Sequence, residues 1–288
     1  MAQTLSAREA RGLETRAACD DTPNRSPRKG FFTDTTLCIG CKACEVACKQ
    51  WNQLPDDGLF FTGMSYDNTV ALGASTWRHV AFIERPVALS NQDAGAFSWL
   101  FSSDVCKHCA RAGCLESCPT GAIIRTEFDS VYVQPDICNG CGYCVVACPF
   151  GVIDRREDDG RAWKCTLCYD RLKEHMEPAC AKACPTDSIK FGDLDQLRQT
   201  AQERVDRLHE QGMSEAYLYG ADAATQLGTE GLNAFFLLAD KPEAYNLPPE
   251  PVVPTKRVRE SWLSFAFAAA GLVAAAVGSA FLSTRTQL

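Results

Sequence analysis

An α+β fold with an internally duplicated core and one C-terminal transmembrane helix is predicted by three features of this 288-residue chain. Sixteen of its seventeen cysteines fall into four tetrads with closely similar internal spacing. Short apolar segments follow three of the tetrads, each just after a Cys-Pro pair. Residues 262–282 carry no charge at all.

The tetrads are Cys38-x2-Cys41-x2-Cys44-x3-Cys48, Cys106-x2-Cys109-x4-Cys114-x3-Cys118, Cys138-x2-Cys141-x2-Cys144-x3-Cys148 and Cys165-x2-Cys168-x11-Cys180-x3-Cys184. The first and third are the bacterial ferredoxin ligand run without modification. The predicted core is therefore a pair of duplicated bacterial ferredoxin-like (2×[4Fe–4S]) domains. Four complete runs supply ligands for four cubane [4Fe–4S] clusters. Three closely spaced cysteines wrap three corners of a cube, and the fourth, past the loop, reaches the other cluster of a pair. Zinc is the main competing explanation, but a four-cysteine zinc site joins two separated Cys-x2-Cys pairs. A disulfide framework belongs to short secreted chains and gives no reason for a repeated spacing. The first thirty residues are polar and charged, so no cleaved export signal is expected. Cys19, the spare cysteine, reads as a dispensable thiol in that polar stretch.

The elements follow in order. Residues 1–30, with Pro23 and Pro27, read as a polar N-terminal extension. Residues 31–192 form the four-cluster domain, with residues 50–105 as a long insertion between the first and second runs. That insertion holds a turn at residues 55–58 and a strand at residues 80–83. After Pro119, Pro149 and Pro185 come short apolar strands at residues 122–124, 152–153 and 189–191, and residues 131–133 make a returning strand before the third run. The repetition is that of an internally duplicated ferredoxin. Leu194, Leu197, Ala201, Val205 and Leu208 fall at helical spacing, with Asp193 as N-cap, Gln196 three residues on and Gly212 as the stop. Arg198, Glu203 and Asp206 mark the opposite face. Residues 231–239 read as a buried strand, so residues 193–247 are a helix and strand packed on the cluster domain. Pro248, Pro249, Pro251 and Pro254 make residues 248–261 a stiff, basic linker.

Residues 262–282, WLSFAFAAAGLVAAAVGSAFL, are long enough to cross a bilayer as one helix. Trp262 stands where an interfacial aromatic is expected. Ala268, Gly271, Ala275, Gly278 and Ser279 form a small-residue side that lets a second helix approach. Residues 283–288 are a short tail. Lys256, Arg257 and Arg259 precede the helix and Arg285 follows it, which favours a cytoplasmic cluster domain.

The net charge of −7 argues against nucleic acid as a partner. Lys42, Lys49, Lys107 and Lys164 lie near the runs without forming a stripe, and each reads equally well as a solvated charge or a modulator of a cluster. His79, His108, His175 and His209 are scattered and form no metal triad. His108, inside the second run, reads first as structural and second as a modulator of that cluster. No catalytic residues stand out.

TLCIGCKACEVACKQWN (residues 36–52), WKCTLCYDRL (163–172), EPACAKACPT (177–186) and residues 203–220 resemble the iron–sulfur beta subunits of membrane-bound formate dehydrogenases. The proline linker and single C-terminal helix match in kind. The resemblance runs from about Phe31 to the end. The cysteine pattern alone is shared by the four-cluster subunits of other molybdopterin oxidoreductases and some hydrogenases. The resemblance implies crossed pairing of the runs. Cys38, Cys41, Cys44 and Cys184 would hold one cluster, and Cys48, Cys165, Cys168 and Cys180 its neighbour. Cys106, Cys109, Cys114 and Cys148 would hold a third, and Cys118, Cys138, Cys141 and Cys144 a fourth. It further implies a non-catalytic electron-transfer role. The partners would be a large catalytic subunit with a molybdenum or tungsten pterin centre and a membrane cytochrome b or quinone-reactive subunit. Relatives that hold this domain in the periplasm place it opposite to the charge rule. The remaining alternatives are the same wire serving a hydrogenase or another molybdopterin reductase, and a membrane-tethered zinc or assembly protein.

Overall fold

The computed structural model describes residues 27–58, 61–64, 66–86, 97–224, 226 and 228–285. Cys19 and residues 1–26 lie outside them. The largest sheet has four strands in the order Ile189–Asp193, Lys29–Asp34, Ala234–Leu238, Tyr217–Tyr219. The two central strands run parallel, Phe31 opposite Ala234 and Asp34 opposite Leu237. The outer pairings are antiparallel. A parallel pair needs a crossover, and all four cysteine runs lie within this one.

Ala234–Leu238 is buried at every residue, as befits a strand covered on both faces. On one face, Phe32, Phe235 and Leu237 pack against Leu194, Leu197, Ala201, Val205 and Leu208 of the helix Leu194–Glu210. The Phe32 and Phe235 rings stack with centroids 5.4 Å apart. On the other face, Phe31, Ile189 and Ala234 join a core that contains Cys44, Cys48, Cys106, Cys165 and Cys180. The sheet is therefore a wall between the helix and the cysteines. The helix begins where its apolar period indicates, but Asp193 makes no side-chain cap bond. Its carboxylate is taken instead by Lys29 on the adjacent strand. Gly212, with φ +91°, follows the last turn.

Several strands differ from the sequence reading. The strand at residues 80–83 extends over Arg78–Pro86 and pairs in antiparallel register with Phe97–Val105. Val152 and Ile153 are buried but enter no ladder, because the chain pairs one step later, Asp154–Arg155 with Ala162–Trp163. Ile123–Arg125 pairs with Val131–Val133.

The proline segment is a strap laid on the body rather than a free spacer. Val253 is fully buried, and its N–H donates to the Gly228 carbonyl at 3.3 Å. Tyr219 donates its hydroxyl to the Pro248 carbonyl at 2.5 Å. Proline stiffens the backbone, but Leu247 and Val253 still find apolar surface to cover. A 3-10 turn, Pro254–Arg257, leads into a helix spanning Val258–Arg285. Residues 254–277 contain a continuous apolar stretch, none of it buried in the protein. Trp262, Phe265, Phe267 and Leu272 all face outward. By length and composition the helix is a candidate membrane span.

Candidate metal centre

Each run opens with the same backbone device. The residue just before its second cysteine is left-handed: Gly40 (φ 68°), His108 (43°), Gly140 (71°) and Leu167 (61°). Glycine takes this conformation freely, whereas histidine and leucine are strained in it. At Gly140 a β-carbon would also lie 2.4 Å from the Gly160 carbonyl oxygen. The turn aims backbone N–H groups inward, and Leu167 N–H reaches the Cys165 sulfur at 3.4 Å.

The structure brings cysteines of different runs together. Cys106, Cys109, Cys114 and Cys148 line one pocket together with Lys107, His108 and Lys164. Cys118, Cys138, Cys141 and Cys144 line another. Cys48 lies among Cys165, Cys180 and Cys168. Cys38 lies beside Cys184 and Cys41. Cys44 sits at the border of these last two groups, near Arg78, Ser103 and Cys180. Cys41 and Cys141 are exposed, while Cys44, Cys48, Cys106, Cys114, Cys144, Cys165, Cys168 and Cys180 are buried.

The chemistry of these sites fits a cubane. A zinc ion draws four sulfurs to about 2.3 Å from one point. Here the sulfurs surround a volume, and among the described residues no three His, Cys, Asp or Glu groups converge on one ion position. Burial, ahead of every other influence, pushes the thiols up: Cys44 and Cys168 to about 11, Cys114 to about 12. Iron supplies the positive charge that makes thiolates favourable there. Donors stand ready for sulfur. Ser103 lies 3.3 Å from Cys44 Sγ, Ala162 N–H 3.4 Å from Cys138 Sγ, and Asn52 Nδ2 3.7 Å from Cys48 Sγ. His108 Nδ1 accepts the Val131 N–H at 3.1 Å, which assigns its proton to Nε2. That Nε2 is buried without a partner on a residue lining the Cys106 cavity. A cluster sulfur would complete it.

Cations surround the quartets unevenly. Lys107 and Lys164 are about 1–2 % exposed, so the solvated reading does not hold for them. Lys164 donates to the Val131 carbonyl at 2.5 Å and the Cys165 carbonyl at 2.9 Å. Lys107 donates to Asp104 and to the Val105 carbonyl. Lys42 and Lys49 instead pair with Asp67 and Asp57 near the surface. His79 meets Asp67 at 2.7 Å, and His209 meets the Ala216 carbonyl at 2.7 Å. Sequence reasoning passed over Arg78 altogether. Nothing local marks it, because a long-range strand pairing brings it to the cysteines.

Two overlapping stretches, residues 37–122 and 97–194, match models of the 4Fe-4S dicluster domain. The chain is 38% identical over 252 residues to the iron–sulfur subunit of the nitrate-inducible formate dehydrogenase of Escherichia coli (strain K12), covering 86% of this chain and 82% of that protein. The chain belongs to the family of formate dehydrogenase iron–sulfur subunits. It is 42% identical over 220 residues to the formate dehydrogenase-O iron–sulfur subunit of the same organism, covering 75% of this chain and 69% of that protein. It is also 34% identical over 170 residues to a subunit of that organism's anaerobic dimethyl sulfoxide reductase, covering 59% of this chain and 76% of that protein. As a formate dehydrogenase-type iron–sulfur subunit, the chain carries four [4Fe–4S] clusters and no catalytic centre of its own.

Proposed function

We propose that this chain is the electron wire of a membrane-bound formate dehydrogenase. It would link a molybdenum- or tungsten-pterin catalytic subunit to a cytochrome b or quinone-reactive subunit in the bilayer. The four ligand sets are Cys38, Cys41, Cys44, Cys184; Cys48, Cys165, Cys168, Cys180; Cys106, Cys109, Cys114, Cys148; and Cys118, Cys138, Cys141, Cys144. Each bound cluster supplies reversible one-electron chemistry. The chain's own residues hold the clusters, exclude water and direct N–H donors at sulfur.

The observation that carries this reading is the junction of the two ferredoxin units. Cys165 of the second set has Cys106 of the third as a close electrostatic neighbour. Cys48 and Cys118 each lie on the ligand run that also serves the adjoining set of their pair. The sets therefore form a linear series, with exposed Cys41 at one end and exposed Cys141 at the other. Exposed apolar side chains flank both ends: Ile39 and Val46 at the first, Ile137, Tyr143 and Val146 at the last. Val253 packs beside Gly113, and Thr255 bonds Glu116, at the foot of the membrane helix. This ties the anchor to the segment carrying Cys114 of the third set and supports the Cys141 end as the exit. The side of Ala268, Gly271 and Ala275 would receive a helix of the membrane partner. Lys256, Arg257 and Arg259 favour a cytoplasmic body; protease added to right-side-out spheroplasts would spare it there and digest it in the periplasm.

A second reading keeps the wire and exchanges the catalytic partner. Its support is the dimethyl sulfoxide reductase relative, which matches a smaller share of the chain. Purification of the native complex separates the two. Co-purification with a pterin subunit, and reduction of all four cluster signals by formate, is the expected result. Clusters that stay oxidised with formate but respond to another substrate of the purified complex would overturn the formate assignment.

A further inference from the structure

Arg78 is almost completely buried, at 1 % exposure. A guanidinium in that position is always charged and must find partners. Among the described residues, none of those that meet it by hydrogen bond or ion pair is a carboxylate. Nη2 donates to Cys180 Sγ at 3.4 Å. Nη1 donates to the Ser103 carbonyl at 3.2 Å and to Ser103 Oγ at 3.3 Å. Ser103 Oγ in turn lies 3.3 Å from Cys44 Sγ. The guanidinium also stands over the Phe31 ring, 4.8 Å from its centroid. Nε is buried with no hydrogen-bond partner among the described residues.

Cys180 and Cys44 belong to different ligand sets. From this geometry we infer that Arg78 is the shared counter-charge of the first two clusters, holding both at a higher potential than their cysteines alone would set. Reduction adds one negative charge to a cluster. A fixed positive charge beside it, in a weakly polar interior, stabilises the reduced form. Two donors to sulfur, one direct through Nη2 and one relayed through Ser103, act in the same sense. The free Nε–H leaves a third donor for a cluster sulfur. Because one cation serves both sets, the two potentials rise together, and an electron passes between them without a large step. The Cys118 set offers a contrast. The basic group beside its ligand loop, Arg155 near Gly142, is on the surface.

The inference rests on the iron–sulfur reading, so the experiment measures metal content before potentials. The native complex is purified with wild-type, Arg78→Gln, Arg78→Lys or Ser103→Ala subunit, and iron and sulfide are counted. Wild-type protein without sulfide would overturn the underlying reading itself. Potentials are then read by anaerobic redox titration followed by electron paramagnetic resonance. With full iron content, Arg78→Gln lowers the reduced-to-oxidised ratio of two clusters about tenfold at fixed poise, which is ~59 mV for a one-electron couple, and leaves the other two unchanged. Arg78→Lys keeps the charge and recovers most of that shift. Unchanged potentials in a fully loaded Arg78→Gln would overturn the inference. So would equal shifts in Gln and Lys, since packing alone would then explain them. If Arg78→Gln fails to assemble, Ser103→Ala decides: a lower potential for one cluster supports the relay, and four unchanged potentials refute it.

Discussion

Lys164 donates to the Val131 carbonyl oxygen at 2.5 Å and so fastens the fourth cysteine run to the hairpin that precedes the third. Burial of this ammonium pulls its pKa down, but Cys106, Cys114 and Cys165 beside it together outweigh burial and hold it above the usual lysine value. It is therefore a bolt between the fourth run and that hairpin and a buried positive charge beside Cys106, Cys114 and Cys165.

Lys164→Met tests both roles. Two buried carbonyls, Val131 and Cys165, lose their donor, which costs about 1–3 kcal/mol. The expected result is a lower unfolding midpoint and lower potentials for the second and third clusters, with the first and fourth unaffected. Thermal unfolding and a redox titration of the same preparation check the pair of effects.

Cluster content and crossed ligation are tested together. Anaerobically prepared chain should hold about sixteen iron and sixteen sulfide, four of each per cubane. Cys184 lies beside Cys38. Cys184→Ser should therefore alter the spectrum of the cluster held by the first run and spare that held by Cys165, Cys168 and Cys180. A change confined to the latter would reverse the assignment.

The anchor and the strap separate by truncation. A chain ending at Arg257 should be soluble with four clusters intact, because the apolar stretch of the helix as far as Val277 is not buried in the body. Its electron transfer to quinone in membranes should be lost. A chain ending at Asn246 removes the buried Val253 and the Pro248 acceptor of Tyr219. That shorter chain should lose about 2 kcal/mol or more of stability. Iron retention and unfolding midpoints of the two truncations give the comparison.

Arg204 reaches across from the long helix to Asp34, Nε to Oδ2 at 2.9 Å, and Asp34 is 1 % exposed. Arg204→Met leaves that carboxylate buried with only Thr36 and backbone donors. The expected loss is about 3 kcal/mol, measured by denaturant unfolding. Arg204→Met with Asp34→Asn should recover part of it.

The ligand runs were legible because a cubane loop is local: spacing, the following proline and the left-handed turn all act within a few residues. The long helix was legible for the same reason, through its apolar period. The hairpin partner Phe97–Val105 was not, although its apolar and polar residues partly alternate, because pairing depends on a segment it meets only in space. Residues 152–153 misled in the opposite way. Their apolar character reported burial, and burial was correct, but burial alone does not decide which residues enter a ladder.

The sequence by itself determined the cofactor chemistry, the duplication and the single charge-free helix, since each is written in the identity and spacing of nearby residues. The tertiary structure alone decided which thiols share a cavity, that the proline strap lies on the body, and that Arg78, Lys107 and Lys164 are interior charges. Whether a cation is solvated or buried depends on which strand passes over it. Here that is decided by the parallel pairing of Lys29–Asp34 with Ala234–Leu238, which folds every cysteine run into one crossover and closes the interior around them.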